Sequence, residues 1–560
     1  MKFRFPIRRG TLREDAVAGL VLGVQSVPDG LATGLLAAVN PLSGLYAYMV
    51  GTGSGAFFTG SSFMAIQATG AMAIIVADVP SVHHGSDPAR ALFTLSIVTG
   101  IVMLAAGLFR LGSALRFVSN AVMVGFISAV GVNIILGQLA NFTGYAAPGA
   151  NRITRTFNTF LNPGKLDLQT IAVGSATIVL ILLLERTKLG PLGLVVAVLV
   201  TSAGAALLGW AHVATLNDLG AIPRSLPLPQ APKLTLIPVL LLPALSLAFV
   251  GLVQGASISA NFLNPDGSTP DASRDFVGQG VANIASGAFQ GMPVGGSVSA
   301  SALNKAAGAK SRQSLVIASF VMAVTILAFA RLVGEIAMPA LAGLLMLIGF
   351  RTIKPTDLQS VWKTGNVQKT VLSTTFALTM VIPLQYSVII GVGISMILHV
   401  VRQSNQVTIK QWLIDPEGDL IETEPPAQLE ANEVIVLQPY GSLFFAAAPV
   451  FEGALPEVTD TSRNSVVLLR LRGRSDLGST FMDVLDRYAQ SLAAVGSKLV
   501  IVSAGERIQE QLRATGITEL IGAENIYTGD ERIGATLKRA HTDAQAWVET
   551  NRDTGGSEPR

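Results

Sequence analysis

Apolar stretches separated by short polar connections fill the first four hundred residues. They run from Asp15 to Leu36, Leu42 to Phe58, Met64 to Val79, Ala91 to Leu108, Phe117 to Leu139, Ile171 to Leu184 and Leu189 to Leu208. A second set runs from Ile237 to Leu263, Phe276 to Phe289, Ser297 to Ala309, Ser314 to Ala330, Ile336 to Phe350, Thr370 to Leu384 and Tyr386 to Val401. The pattern predicts an α-helical polytopic membrane protein of about 14 spans, seven on either side of a Pro-rich stretch around Pro223 to Pro238. The transmembrane domain is expected over residues 15–402.

After Val401 the apolar runs end. Residues 403–432, with Pro425 and Pro426, read as a polar linker. From 433 to 550 the β-type runs EVIVLQ, SVVLLRL and KLVIVS alternate with amphipathic patterns after Gly478, Glu506 and Glu531. This alternation predicts a small α/β domain with a partly parallel sheet. Residues 551–560 are polar and read as a disordered tail.

Half of the residues are hydrophobic and 13% are charged, which fits a chain solvated largely by lipid. The net charge of +3 is spread along the chain, so no nucleic-acid partner is expected. Arg110 and Arg116, Arg186 and Lys188, Lys305, Lys310 and Arg312, and Arg351, Lys354 and Lys363 fall in alternate connections. This positive-inside pattern puts the N-terminus and the C-terminal domain on the cytoplasmic side of the cell (inner or plasma) membrane. Residues 1–14, with Lys2, Arg4, Arg8, Arg9 and Arg13, read as a basic cytoplasmic leader without a cleavage site. The chain has no cysteine and only five histidines, which excludes a disulfide framework and thiolate metal sites. No GxxxxGK[ST] signature, nucleophile elbow or metal-ligand spacing is present, so no enzyme and no cofactor are expected.

Two features carry candidate chemistry. Asp29 lies inside the first apolar span, where an unpaired carboxylate costs about 2.5–3.5 kcal/mol on insertion scales, so it is expected to face a cavity or a partner. The third and tenth spans are short, and each follows a Gly- and Ser-rich approach, GSSFMAIQATGAMAIIV and GMPVGGSVSASALNKAAGAKS. Short, Gly-interrupted spans at matching positions of two halves point to inverted repeats around a mid-membrane site. A half-helix that starts inside the membrane presents unpaired N–H groups and its positive dipole end, which attract an anion. The same glycines would also serve close helix packing.

The stretch PDGLATGLLAAVNPLSGLY resembles the first-span pattern of the SulP family of anion transporters, relatives of prestin and pendrin that carry a C-terminal STAS domain; Pro28, Gly30, Leu31, Ala32, Leu35, Ala37, Pro41, Gly44, Leu45 and Tyr46 agree with it. FVSNAVMVGFISAVGVNIILGQL and GQGVANIASGAFQGMPVGGSVSASALNKAAGA are similar to further signatures of that family. The resemblance implies a 7+7 inverted-repeat fold with core and gate domains, a STAS domain over 433–550, a homodimer in lipid, and an anion held between the starts of spans three and ten. Carried over, the substrate-binding positions are Thr69, Gly70 and Ala71 with Ser299, Ala300 and Ser301, together with Asp29.

The chain departs from the family at this site. A family proline is Thr69, an arginine is Ala300, the acid of span eight is Gln254, and the glutamine of span one is Asp29. An ionised Asp29 within about 5 Å of a bound anion would repel it by roughly 3 kcal/mol at an effective dielectric near 20. Asp29 is therefore the expected coupling residue, with Gln254 the position it replaces, and a proton or Na⁺ is transported cargo rather than cofactor. The alternatives are that Asp29 pairs with a base such as Lys305, that it faces an aqueous vestibule, that the missing span-eight acid marks an uncoupled anion exchanger or channel, or that the solute is neutral, as in nucleobase permeases of the same architecture. Lys305 either supplies positive charge to the site or snorkels to the surface. In the soluble domain, RGRSDLGSTF keeps Ser479 and Thr480 of a family phosphorylation loop without its acid and glycine, so a serine serving as helix N-cap is the simpler expectation.

Overall fold

The computed structural model describes residues 9–111, 119–219, 224–404, 407–414, 419–441, 443, 445–474, 476–532 and 534–552. Most of the basic leader, the start of the fifth apolar stretch with Arg116, and the end of the polar tail lie outside the described residues. The chain forms two compact units that divide between Ser395 and Met396.

The first unit holds, in order, α1 (Leu12–Leu36), α2 (Pro41–Phe58), strand β1 (Ala65–Gln67), α3 (Gly70–Ala77), α4 (Pro88–Leu108), α5 (Asn120–Gly137), α6 (Leu168–Leu184) and α7 (Gly193–Leu207). The second half repeats the series with α8 (Ile237–Asn261), α9 (Ala272–Ala288), strand β2 (Gly295–Ser297), α10 (Val298–Ala306), α11 (Gln313–Gly334), α12 (Met338–Thr352), α13 (Asn366–Val381) and α14 (Leu384–Ser404), the last of which runs across the division at Ser395. Six of the described helices are by themselves long and apolar enough to cross a membrane. The third and tenth apolar stretches are not continuous helices: each is a three-residue strand followed by a half-helix of eight or nine residues.

Packing follows the repeat. α1 lies on α11 as α8 lies on α4, α2 lies on α11 as α9 lies on α4, and α5 lies on α13 as α12 lies on α6. Exchanging each helix for the one seven places away in the other half turns one contact into the other, which is the signature of two halves related by a pseudo-two-fold axis. The axis passes through the short sheet: β1 and β2 pair antiparallel with Ala65 opposite Ser297, Ile66 opposite Gly296 and Gln67 opposite Gly295. Glycine is needed at this crossing. A Cβ on Gly296 would lie 2.8 Å from the Gly255 Cα, and one on Gly295 would lie 2.9 Å from the Gly251 Cα, so β2 can rest on α8 only without side chains. Two packed groups result, α1–α4 with α8–α11 and α5–α7 with α12 and α13, on which α14 rests through Gly391 against Val122 and Thr375.

The second unit is a six-stranded sheet in the order β4-β3-β5-β6-β7-β8. Its strands are β3 (Thr408–Ile414), β4 (Leu420–Thr423), β5 (Val434–Tyr440), β6 (Val466–Arg470), β7 (Lys498–Ala504) and β8 (Ile526–Thr528). β5 to β8 are parallel, and β3 joins β5 and β4 antiparallel. α15 (Ser479–Ala494) and α16 (Glu506–Ala514) cover one face, and α17 (Ala535–Arg552) covers the other. The stretch 403–432, expected as a linker, instead contributes β3 and β4 to the sheet. β4 is four residues on the exposed outer edge, and β3 mixes polar and half-buried positions, so neither shows the continuous buried apolar run that marks β5 to β7.

Candidate functional site

Each half-helix starts at a hydroxyl cap. Thr69 caps α3, accepting from the Met72 N–H at 3.5 Å, and Ser297 caps α10, accepting from the Ala300 N–H at 3.3 Å. The caps leave Gly70 and Ala71 in α3, and Val298 and Ser299 in α10, as the first helical residues whose N–H groups have no acceptor inside the helix. Because β1 and β2 are paired, these two ends are fixed with respect to each other.

Side chains of flanking helices hold the strands in place. Asn283 of α9 accepts from the Val294 N–H at 2.9 Å and donates to the Val294 carbonyl at 2.5 Å, while Gln279 accepts from the Gly296 N–H at 3.0 Å. Ser286 donates to the Met292 carbonyl at 2.7 Å, so Asn283 and Ser286 of the NIASG stretch anchor the approach to α10. On the other strand, Thr52 of α2 donates to the Ile66 carbonyl at 3.2 Å, and Gln67 donates to Ser26 of α1 at 2.9 Å.

Two buried carboxylates fix the connections that lead into β1 and out of α10, which meet where Arg312 donates to the Thr59 carbonyl at 2.7 Å. Asp275 of α9 accepts on Oδ1 from the Thr59 hydroxyl and from the N–H groups of Gly60 (2.7 Å) and Ser61 (3.0 Å), and on Oδ2 from Ser259 of α8 (2.6 Å). Asp15 of α1 accepts on Oδ1 from the N–H groups of Lys310 (2.7 Å) and Ser311 (2.9 Å), and on Oδ2 from the hydroxyls of Ser311 (2.6 Å) and Thr11 (2.8 Å). Neither acid stands out in the sequence, since each flanks an apolar stretch where a solvated residue is the default reading.

The structure brings Thr69 and Gln254 together: the threonine hydroxyl donates to Gln254 Oε1 at 3.0 Å, joining the start of α3 to α8. Gln254 also borders a cavity between α5 and α8, with Met123, Phe126 and Ile127 on one wall and Phe249 and Val253 on the other. This apolar wall carries no polar signal for sequence reading to find.

Asp29 is part-buried and faces α2. Tyr48 donates to its Oδ2 at 3.1 Å, the Tyr48 and Thr33 hydroxyls lie 3.1 Å apart, and Thr33 donates to the Asp29 carbonyl at 2.7 Å. The expected alternative partner, Lys305, is exposed and lies over the rings of Phe63 and Phe262 at 5.7 and 5.3 Å from their centroids. That position corresponds to the snorkelling alternative rather than to a charge inside the site.

The remaining positions divide by burial. Ser299 is exposed at the start of α10, with its hydroxyl 3.4 Å from that of Ser297. Ala300 is buried in an apolar cluster with Leu22, Ala56, Ala65 and Leu303. Ser301 is fully buried; its hydroxyl donates to the Ser297 carbonyl at 2.6 Å and accepts from the Ala65 N–H at 3.0 Å, so it ties α10 to β1 instead of facing the open helix end. In the second unit Gly478, not a serine, is the N-cap of α15, without a side-chain cap, and Ser479 and Thr480 are exposed in its first turn.

The family model described as "Sulfate permease family" matches residues 12–375, and the STAS domain model matches residues 426–538. The chain belongs to the sulfate permease family. It is 27% identical to YvdB of Bacillus subtilis over 529 residues, 93% of this chain and 97% of that protein. It is 25% identical to the bicarbonate transporter BicA of Picosynechococcus sp. over 450 residues, 78% and 79% of the two chains. Among solved structures it resembles the murine Solute Carrier 26 family member A9 anion transporter in the inward-facing state, with a TM-score of 0.84, 19% identity, and coverage of 96% and 92%. This sulfate permease family member is thus an integral membrane protein of the anion-transporter fold with a C-terminal STAS domain, and its relatives are transporters, not enzymes.

Proposed function

We propose that the chain is a secondary active transporter of a small inorganic or organic anion, with sulfate or bicarbonate the first candidates. The anion lies between the first N–H groups of α3 and α10, with Thr69, Gly70, Ala71 and Ser299 around it. The observation that carries this reading is the β1–β2 pairing, which turns two half-helix starts toward each other as one fixed unit. Two positive helix ends supply the attraction that the family's arginine supplies elsewhere, and buried Ala300 leaves no charge of its own there. Transport proceeds by an elevator-type movement of the group that carries α3 and α10 against the group that carries α5 and α12. Asp29 takes the coupling proton or Na⁺, which removes its repulsion toward the anion, while the Tyr48 hydroxyl holds the carboxylate in place. The chain works as a homodimer in the cell membrane with its N-terminus and STAS domain in the cytoplasm.

Labelled sulfate or bicarbonate uptake into proteoliposomes under imposed proton or Na⁺ gradients tests the reading. Gradient-driven uptake is expected in the parent, and Asp29→Asn is expected to leave exchange but abolish the gradient's effect. Gradient-driven uptake that persists in Asp29→Asn would refute coupling through this residue. A second reading, a neutral nucleobase-like solute, is favoured by the lack of a cationic side chain bonded to Asp29 among the described residues. Uracil uptake without anion uptake would establish it.

A further inference from the structure

The connection between α5 and α6 carries a short helix, Arg152–Leu161, whose composition is unlike that of its neighbours. Its exposed large apolar residues are Ile153, Phe157, Phe160 and Leu161, spaced as one helical face, while Arg152, Arg155, Thr156 and Asn158 occupy the other side. An apolar face of this kind, strung between two membrane helices and left uncovered, fits the interface of a bilayer.

The first residue of this helix reaches the other packed group. Arg152 Nη2 lies 2.7 Å from Oδ1 of Asp78, and Nη1 lies 3.4 Å from Oδ2. Asp78 is the C-cap of α3, so the pair bridges the α5–α6 connection and the half-helix that begins at the candidate site. The two side chains are only 22% and 16% exposed. Both charges also stand at the wrong ends of their helices, an anion at a C-terminus and a cation at an N-terminus, where the helix dipole disfavours each. Local helix chemistry favours neither position, and the ion pair offsets the unfavourable dipole at both. Beneath it lie Leu36 and Ile134: a Cβ on Gly137 would be 3.7 Å from Leu36 and 3.8 Å from Arg152, and one on Gly70 would be 2.6 Å from Ile134 and 3.9 Å from Leu36. Leu36, Ile134 and the ion pair therefore stack in sequence between the start of α3 and the membrane face at its C-terminal end. In the last turn of α10, the matching place in the other half, Lys305 lies over two phenylalanine rings instead.

We propose that Arg152–Leu161 is a lipid-seated latch: its apolar face rests in the bilayer interface, and Arg152 holds the end of α3 through Asp78, closing the seam between the two groups on that face. The proposal rests on the reading that transport requires those groups to move against each other. Opening that face breaks the pair, and neutralising either partner makes opening easier.

The absence of cysteine allows a direct test in the full chain. Leu36→Cys, buried in the seam, is labelled with a membrane-impermeant maleimide in phosphatidylcholine and phosphatidylglycerol vesicles. Asp78→Asn and Arg152→Gln are each expected to raise the labelling rate about fivefold, and the exchanged pair Asp78→Arg with Arg152→Asp to restore the slow rate, since each charge then also suits its helix end. Single variants that label no faster than the parent, or an exchanged pair that labels as fast as the singles, would overturn the latch. A nitroxide on Phe157→Cys, expected to be more accessible to oxygen than to a water-soluble nickel chelate, reports the lipid seat, and the reverse order would overturn it. Labelling reads conformation without transport, so the latch stands or falls on these rates even in a chain that carries no anion.

Discussion

Asp275 offers a graded test of how the frame around the site is held. Its two oxygens accept four hydrogen bonds, three of them on Oδ1 from Thr59, Gly60 and Ser61, the residues that lead into β1. Asp275→Asn keeps an oxygen for those three donors but removes the charge; each bond falls from charge-assisted to neutral strength at about 1 kcal/mol, a loss of about 3 kcal/mol in total. Ser259→Ala removes one donor and costs about 2 kcal/mol. Asp275→Ala removes the acceptor of all four bonds, and the part-buried Gly60 N–H is left without one while the Ser61 N–H keeps the Thr59 hydroxyl at 3.2 Å; the variant costs about 5 kcal/mol. With an unfolding entropy near 0.8 kcal/mol/K for a unit of this size, the Asn variant should melt about 3–4 °C below the parent. Intrinsic fluorescence of detergent-solubilised protein during heating reads the shift, and uptake measured in parallel should fall in the same order. An Asn variant as stable as the parent, or a Ser259→Ala variant less stable than Asp275→Ala, would refute the account of a charge held by convergent donors.

Two further outcomes are expected. Gly44→Ala would put a Cβ 2.1 Å from the Gly30 carbonyl oxygen and 2.6 Å from the Gly34 nitrogen, all backbone, so α1 and α2 must separate; the variant should lose most folded yield, as read by size exclusion in detergent. In the second unit, burial holds the His541 imidazole below its ordinary value of 6.5. The unfolded chain then takes up that proton first, so this histidine's contribution to stability is present at neutral pH and declines as pH falls through 6.5, levelling off below the folded value. His541→Gln should flatten the dependence of the unit's melting temperature on pH between neutral and mildly acidic buffer.

The number and order of the membrane helices were legible because the apolar runs are separated by short polar, Gly- or Pro-containing breaks, and the half-helices were legible because glycine and serine interrupt two of those runs at matching places. The pairing of β1 with β2 was not, since three residues give no alternation to read. The convergence of Thr69 and Gln254 followed from family position, whereas the tie between Asp29 and Tyr48 joins residues on two helices with no motif in common. Asp15 and Asp275 were missed for a physical reason: an acid at the edge of an apolar run looks the same whether water or backbone N–H groups solvate it. Ala300 and Ser301 show the reverse case, where one helical turn holds both the exposed Ser299 and two buried neighbours, a difference of orientation that spacing alone does not settle.

The strand pairing at the centre of the molecule also sets a schedule for its biogenesis. β1 leaves the ribosome about 230 residues ahead of β2, an interval of roughly 10–45 s at typical elongation rates. Throughout it the backbone of Ala65–Gln67 has no strand partner, in surroundings where each unmet group costs several kcal/mol. Among the described residues already synthesised, Thr52 can shield one carbonyl of it, that of Ile66. A nascent chain stalled between its halves would thus present an unfinished edge inside the membrane, a ready target for insertion chaperones or for the proteases that clear orphaned helices.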